Sequence, residues 1–502
     1  NVITELFGKI CIHNFMKKFV VVGAGTAGAI SAAIIKKHWG NEVDVSVYYD
    51  KSKKIIGVGE STAPGILFFL KSLGLTTEEI IRELPMVTLK MGINFKNWIP
   101  DTSFFHGFAE VPKYLNCSSL HAILNDSYNG GVNSCNATNT VQDKPFDEWE
   151  ELGLHIDTQE FSDYVFKKME GEITLVDDIV TRVNVNDESN TIKNIECKNS
   201  GIVEADYFID ASGFESIIFK HLNPKWNDIK EYLPLDKALS QEIDNKNNEI
   251  PSHTLAEATD NGWIWAIPVA DKIRTGYLYS SKFLSDEEAR KKYNDWLIKN
   301  HNVNLKDDKT IKFRSGYYEN SFIGNCMAVG LASGFVEPLE ALASQMILNQ
   351  LSAFTNYSSL LSDLDFDREK INDENRHFID ANIKFVALHY VTNRTDSEFW
   401  KYMNNNKMKW VKEFEKLCKD EFIDIPAENK ILKLWLTDSY IQIADGLKLF
   451  DKESIENFIN SKPKETRQEI LCESKRHYDR GLELKNKLKF ISHKQLLDSI
   501  HK

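Results

Sequence analysis

The run GAGTAG places glycines at 23, 25 and 28, after the hydrophobic stretch KKFVVV and before TAGAISAAIIKKHW. Between a strand and a helix each glycine has a task. Gly23 permits the tight turn, Gly25 lets a pyrophosphate approach the backbone, and Gly28 allows close packing of helix on strand. The helix start at Thr26 and Ala27 then offers unpaired N–H groups to the phosphate. Asp50 ends the next hydrophobic stretch, VDVSVYYD, where a carboxylate accepts from a ribose hydroxyl. Together these residues predict a dinucleotide site. Trp263 and Trp265, in GWIWAIPV, stand two apart on a predicted strand and share one of its faces. They make either a flat indole wall or core filling. Lys90, in TLKMGINF, is an amine among apolar residues. Burial would push it toward the nucleophilic free base, whereas an ordinary lysine here snorkels to the surface. Lys96 has the same parity along a strand and is the second candidate.

The framework for these groups is an α/β one. Residues 17–50 read as strand, amphipathic helix and strand, and residues 64–85 as helical. Residues 100–150, rich in Asn, Ser and Gly, predict long loops, and short strands recur up to NCMAVGLAS. From about residue 337 the pattern is helical. The expected organisation is an upstream leader at 1–15 and an α/β body at 16–350, carrying a mixed β-sheet with inserted sheet and loops. A mostly helical region at 351–502 packs on the body at the substrate side. A net charge of -13 argues against nucleic acid as main partner. No apolar run reaches the length of a membrane span. The seven cysteines lack metal-ligand or disulfide-framework spacing, so no metal site is expected and a reducing cytoplasm fits. IGVGEST at 56–62, ADYFIDASG at 205–213 and NCMAVGLASGFVEPLE at 325–340 spread further nucleotide-facing turns over the chain. That spread favours FAD, which spans a whole sheet, over NAD. With no second GxGxxG for NADPH, reduced flavin arriving from a separate reductase is the expectation.

GAGTAG, IGVGEST, the lysine in TLKMGINFKNW, GWIWAIP and GFVEPLE, in this order, resemble the flavin-dependent halogenases of the tryptophan halogenase type. The resemblance spans residues 17 to about 350 and implies a glutathione-reductase-like FAD-binding body. It implies an enzyme that uses externally supplied reduced FAD, O2 and halide to make hypohalous acid, which halogenates an electron-rich, indole- or phenol-like aromatic. FAD would be held by Gly23, Gly25, Thr26, Ala27, Gly28, Asp50, Ile56, Val58 and Ser61, with Ile179 on the adenine side and Leu331 and Ser344 near the isoalloxazine. Trp263, Trp265 and Pro268 would form the barrier between flavin and substrate. Lys90 and Glu340 would carry the chemistry, the carboxylate holding the ammonium, and Phe105 and His106 would line the substrate pocket. Backbone N–H groups of Leu342 and Ala343 would position the halide.

The chain departs from the family pattern Phe-x-x-Pro-x-x-Ser-x-Gly. Phe335 and Pro338 are kept, but Ala341 replaces the serine, Ala343 the glycine, and Leu342 stands where tryptophan halogenases carry threonine. Ala29 stands where a tryptophan is common. The changed cavity points to bromide or iodide rather than chloride. Two other readings remain: an FAD-dependent aromatic hydroxylase, and a catalytically silent flavoprotein. A homo-oligomer is open. Trp400, Tyr402, Trp410, Phe414, Trp435 and Tyr440, spaced along helices, read as core before pocket.

Overall fold

The computed structural model describes residues 16–53, 60–108, 116–125, 138–143, 152–246, 249–306, 310–359, 365–420, 437–487 and 489–501. The leader at 1–15, Ile56, Val58 and Trp435 lie outside them.

Lys17–Val22 buries four consecutive residues, Phe19 to Val22, as a parallel strand covered on both faces must. Helix Thr26–Trp39 lays Ala29, Ile30, Ala32, Ala33 and Ile35 against it, the small residues allowing close approach. These elements belong to a six-stranded sheet in the order Phe322–Ile323, Cys326–Ala328, Tyr207–Asp210, Lys17–Val22, Val43–Tyr49, Thr174–Asp177. All its pairs are parallel except the first.

A seven-stranded sheet runs Thr310–Lys312, Lys237–Asp244, Lys272–Tyr279, Gly262–Val269, Thr254–Thr259, Gly92–Lys96, Ser103–Gly107. The tryptophan strand Gly262–Val269 is central, and all eight of its residues are buried. A small third sheet joins Glu60–Ser61, Gly153–Ile156 and Thr88–Lys90.

The helical part begins with Leu342–Asn356, so the expected boundary between 350 and 351 falls inside a helix. Nor is that part helical throughout: Phe490–Ser492 returns to pair with Thr140–Gln142. Phe385, Leu388, Trp400, Phe414 and Tyr440 share one hydrophobic cluster with Trp263 and Trp265, so these aromatics are core. Tyr402 and Trp410 pack on its edge. Among the described residues no helix is long and apolar enough to cross a membrane, and no group of side chains is arranged to hold a metal ion.

Candidate active site

A cavity of about 1110 Å3 opens at the carboxyl ends of the parallel strands, where α/β sheets bind ligands. Gly23, Gly25, Thr26, Ala27, Asp50, Ser61, Ile179 and Leu331 line it. Gly23 turns at φ +112°, where a Cβ would stand 2.3 Å from the Ala211 carbonyl oxygen. A Cβ on Gly28 would lie 1.9 Å from the Gly23 oxygen, so Gly28 closes the helix onto the strand and does not itself face the cavity. Gly25 is different: a Cβ there would meet no protein atom within 4 Å. The glycine keeps room for something other than protein, and helix Thr26–Trp39 starts beside it with no side-chain cap. Asp50 accepts from the Ser52 amide (3.0 Å) and hydroxyl (2.5 Å). The hydroxyl foremost holds the carboxyl below its usual range, ionised and ready to accept. Free backbone donors, clear space and a carboxylate at the far end fit FAD.

The tryptophans form part of the cavity wall and part of the core at once. Their rings meet edge-on with centroids 6.3 Å apart. Trp265 lies across Gly276 of the neighbouring strand, where a Cβ would be 2.1 Å from its Cη2. The Trp263 indole N–H donates to Glu337 Oε2 (3.1 Å), which also accepts from the Tyr390 hydroxyl (2.5 Å). Burial pushes the Glu337 carboxyl up to about 7 against those two donors, and its Oε1 has no partner. Pro268 does not reach the cavity; its carbonyl accepts from Thr88 Oγ1 at 2.6 Å.

The segment 335–343 is the rest of the wall. Phe335, Val336, Pro338, Leu339, Ala341 and Ala343 face the cavity, whereas Glu337, Glu340 and Leu342 do not. Leu342 is packed in the core, and Ser344 is buried with an unpartnered Oγ.

Lys90 lies outside the cavity lining and is fully buried. Its strand pairs with Gly153–Ile156, putting Gly153 opposite the lysine. Nζ donates to the Thr62 carbonyl oxygen at 3.2 Å and sits 4.6 Å from the Phe108 ring centre. Among the described residues no carboxylate approaches Nζ within ion-pairing distance. Burial brings its pKa down to about 7, with the Glu340 charge pulling the other way. The second candidate, Lys96, is ruled out by geometry: Met91 separates the strands, and Lys96 is half-exposed and ion-paired with Glu257 at 3.0 Å.

Glu340 is buried and clasped by histidines instead of the lysine. His106 Nδ1 donates to Oε2 at 2.8 Å and His389 Nε2 to Oε1 at 2.6 Å. Burial alone would raise its pKa, but His106 foremost, with His389, overcomes this and holds the carboxyl down at about 2. His106 Nε2 meets the Ser439 hydroxyl at 3.1 Å. Phe105 points to the opposite face of the same strand, so it does not join His106.

Sequence reasoning missed His389, Glu337, Tyr390 and Ser439. A signal existed for the first: a histidine in the apolar run FVALHYV must find polar partners once buried.

The whole arrangement has counterparts. The tryptophan halogenase family matches residues 18–460. A tryptophan 6-halogenase of Streptomyces toxytricini is 27% identical over 76% of this chain and 80% of its own length. A tryptophan 7-halogenase of Lentzea aerocolonigenes is 26% identical over 76% and 78%. Among solved structures, a flavin-dependent halogenase from Xanthomonas campestris superposes with TM-score 0.81 at 20% identity, covering 97% of this chain and 98% of that one. A tryptophan C-6 flavin-dependent halogenase from taromycin biosynthesis gives TM-score 0.81 at 24% identity over 97% and 100%. Fold and cavity thus define a flavin-dependent halogenase architecture. The chain belongs to the tryptophan halogenase family, enzymes that work with reduced FAD supplied by a separate flavin reductase.

Proposed function

We propose that this chain halogenates an electron-rich aromatic of indole or phenol type, with Lys90 presenting the activated halogen to it. The observation that carries this reading is a fully buried lysine, with no carboxylate partner among the described residues, outside a cofactor cavity walled by Trp263 and Trp265. Bound reduced FAD supplies the electrons that activate oxygen and so oxidise the halide. The residues that would hold it are Gly23, Gly25, Thr26, Ala27, Asp50 and Ser61, with Ile179 and Leu331 at the periphery. The tryptophan pair keeps the aromatic from the flavin. Lys90, near neutrality in its pKa, offers either an N–H donor or a lone pair to hypohalous acid. His106, bound to Glu340, faces the same buried region from the Ser103–Gly107 strand and is assigned to substrate positioning.

For the halide, the support is helix Leu342–Asn356. It starts after Ala341 at φ +60° with no side-chain cap and no acidic residue in its first turn, and Ser344 Oγ there lacks a partner. Free N–H groups of Leu342 and Ala343 and the helix dipole favour an anion. Ala343 and Leu342 make the surroundings less polar, which suits the weakly hydrated bromide or iodide better than chloride.

The experiment supplies a flavin reductase, NADH, FAD and air to the purified chain. Phenols and indoles are offered in chloride, bromide and iodide, with products read by mass. Halogenated product, largest with bromide or iodide and lost on Lys90→Ala, is expected. Oxygenated product independent of halide would establish a hydroxylase instead. Halogenation by Lys90→Ala at the wild-type rate would remove the lysine from the chemistry.

A further inference from the structure

The hydrogen bonds around Glu340 fix where one proton resides. His389 Nδ1 lies 2.8 Å from the Phe385 carbonyl oxygen, which can only accept, so Nδ1 carries a hydrogen. Its Nε2 lies 2.6 Å from Glu340 Oε1, and two lone pairs cannot face each other at that distance, so a second hydrogen lies there. His106 requires only one: Nδ1–H serves Glu340 Oε2, and at Nε2 the Ser439 hydroxyl can itself supply the hydrogen. The contacts therefore require an imidazolium at His389 beside the Glu340 carboxylate. That charge closes on itself.

We infer that His389, not Lys90, neutralises Glu340, making His389 a positioning residue that leaves Lys90 without a carboxylate partner among the described residues. Both Glu340 oxygens are occupied, and among the described residues no carboxylate ion-pairs with Lys90. The other described groups facing the lysine carry no compensating negative charge. They are the Thr62 carbonyl on the loop after Glu60–Ser61, the Phe108 ring, and His155 on the paired strand. His155 contacts Thr88 Oγ1 (3.0 Å) and Thr254 Oγ1 (2.9 Å), and burial foremost holds its pKa well below the usual range. His493 and His253 nearby are neutral as well, each lowered to about 4 mainly by burial.

The inference rests on the halogenation reading for its use. The amine lone pair attacks the halogen of hypohalous acid, a nitrogen–halogen bond forms as the oxygen–halogen bond breaks, and the departing hydroxide takes the amine proton as water. An ammonium has no lone pair to begin this.

Its test needs no turnover. The full chain is labelled with ring-15N histidine and 13C-ε lysine and followed by NMR against pH. His389→Gln and Lys90→Met variants assign the two signals. Expected at pH 7 is a His389 ring protonated on both nitrogens. Glu340→Gln should abolish that signature and move the Lys90 midpoint by less than about one pH unit. A singly protonated His389 in the wild type, or a Lys90 midpoint falling by about one unit or more in Glu340→Gln, would overturn it by making Glu340 the partner of the lysine. The wild-type histidine spectrum decides alone should a variant not fold. Absence of halogenated product would count against the functional reading and leave the proton placement untouched.

Discussion

The cofactor cavity and the buried lysine region are built by opposite means. In the cavity, recognition comes from main chain: glycines that clear space and the uncapped start of helix Thr26–Trp39. Around Lys90 the interior is sealed: Nζ meets the Thr62 carbonyl and the Phe108 ring, and Glu340 is buried with His106 and His389. The first can take a large, charged ligand from solvent because backbone donors cost nothing to leave wet. In the second, burial moves pKa values by whole units, bringing that of Lys90 down to about 7. The wall of Trp263, Trp265 and residues 335–343 belongs to both.

If the two regions are independent, Lys90→Met separates them most widely. Halogenation should fall by roughly 10²-fold or more while FAD affinity, read by fluorescence titration, stays unchanged. The same variant tests the burial argument through stability. Lys90 has a folded pKa of about 7 against 10.5 unfolded, so its stabilising contribution is full above 10.5 and lost as pH falls toward 7. The wild type should therefore lose about 1.4 kcal/mol per pH unit relative to Lys90→Met over that window, measured by denaturant unfolding. Equal slopes would mean the amine is solvated. The converse variant is Gly25→Val, which should weaken FAD binding by roughly 10²-fold and leave the flavin-free melting temperature unchanged. A large drop in that temperature would show that the space serves protein packing. At the shared wall, Gly276→Ala forces the Trp265 ring aside and should cost about 1–3 kcal/mol of stability. It should also raise the share of oxidant lost as free hypohalite, read by a dimedone-type trap. Smallest is Trp263→Phe, which removes one donor from Glu337 and should cost about 1 kcal/mol. A larger loss would make the carboxyl a principal support of the wall.

The cavity was legible because its code is local. GAGTAG and Asp50 lie within thirty residues and act through the backbone, so spacing alone states their geometry. Gly28 packs helix on strand, as its place in the motif requires. Lys90 was visible only through its neighbours in a family pattern, because nothing in TLKMGINF distinguishes a buried lysine from one reaching solvent. Pairing of Glu340 with two histidines was invisible. The partners come from a strand at 103–107 and a helix ending at 389, and only tertiary packing joins them. Even the parity argument for Lys96 failed locally, since the chain changes sheets at Met91.

Helix His493–Ile500 opens with a histidine whose Nε2 accepts from the Leu89 amide at 3.0 Å, while its Nδ1 donates to the Ile250 carbonyl at 3.1 Å. The residue beside Lys90 is thus latched by one 404 positions downstream. During synthesis the six-stranded sheet has all its strands once residue 328 has emerged, but the contact to Leu89 needs residue 493. The surroundings of Lys90 are thus completed from much further along the chain than the cofactor cavity, whose lining ends at Ile347.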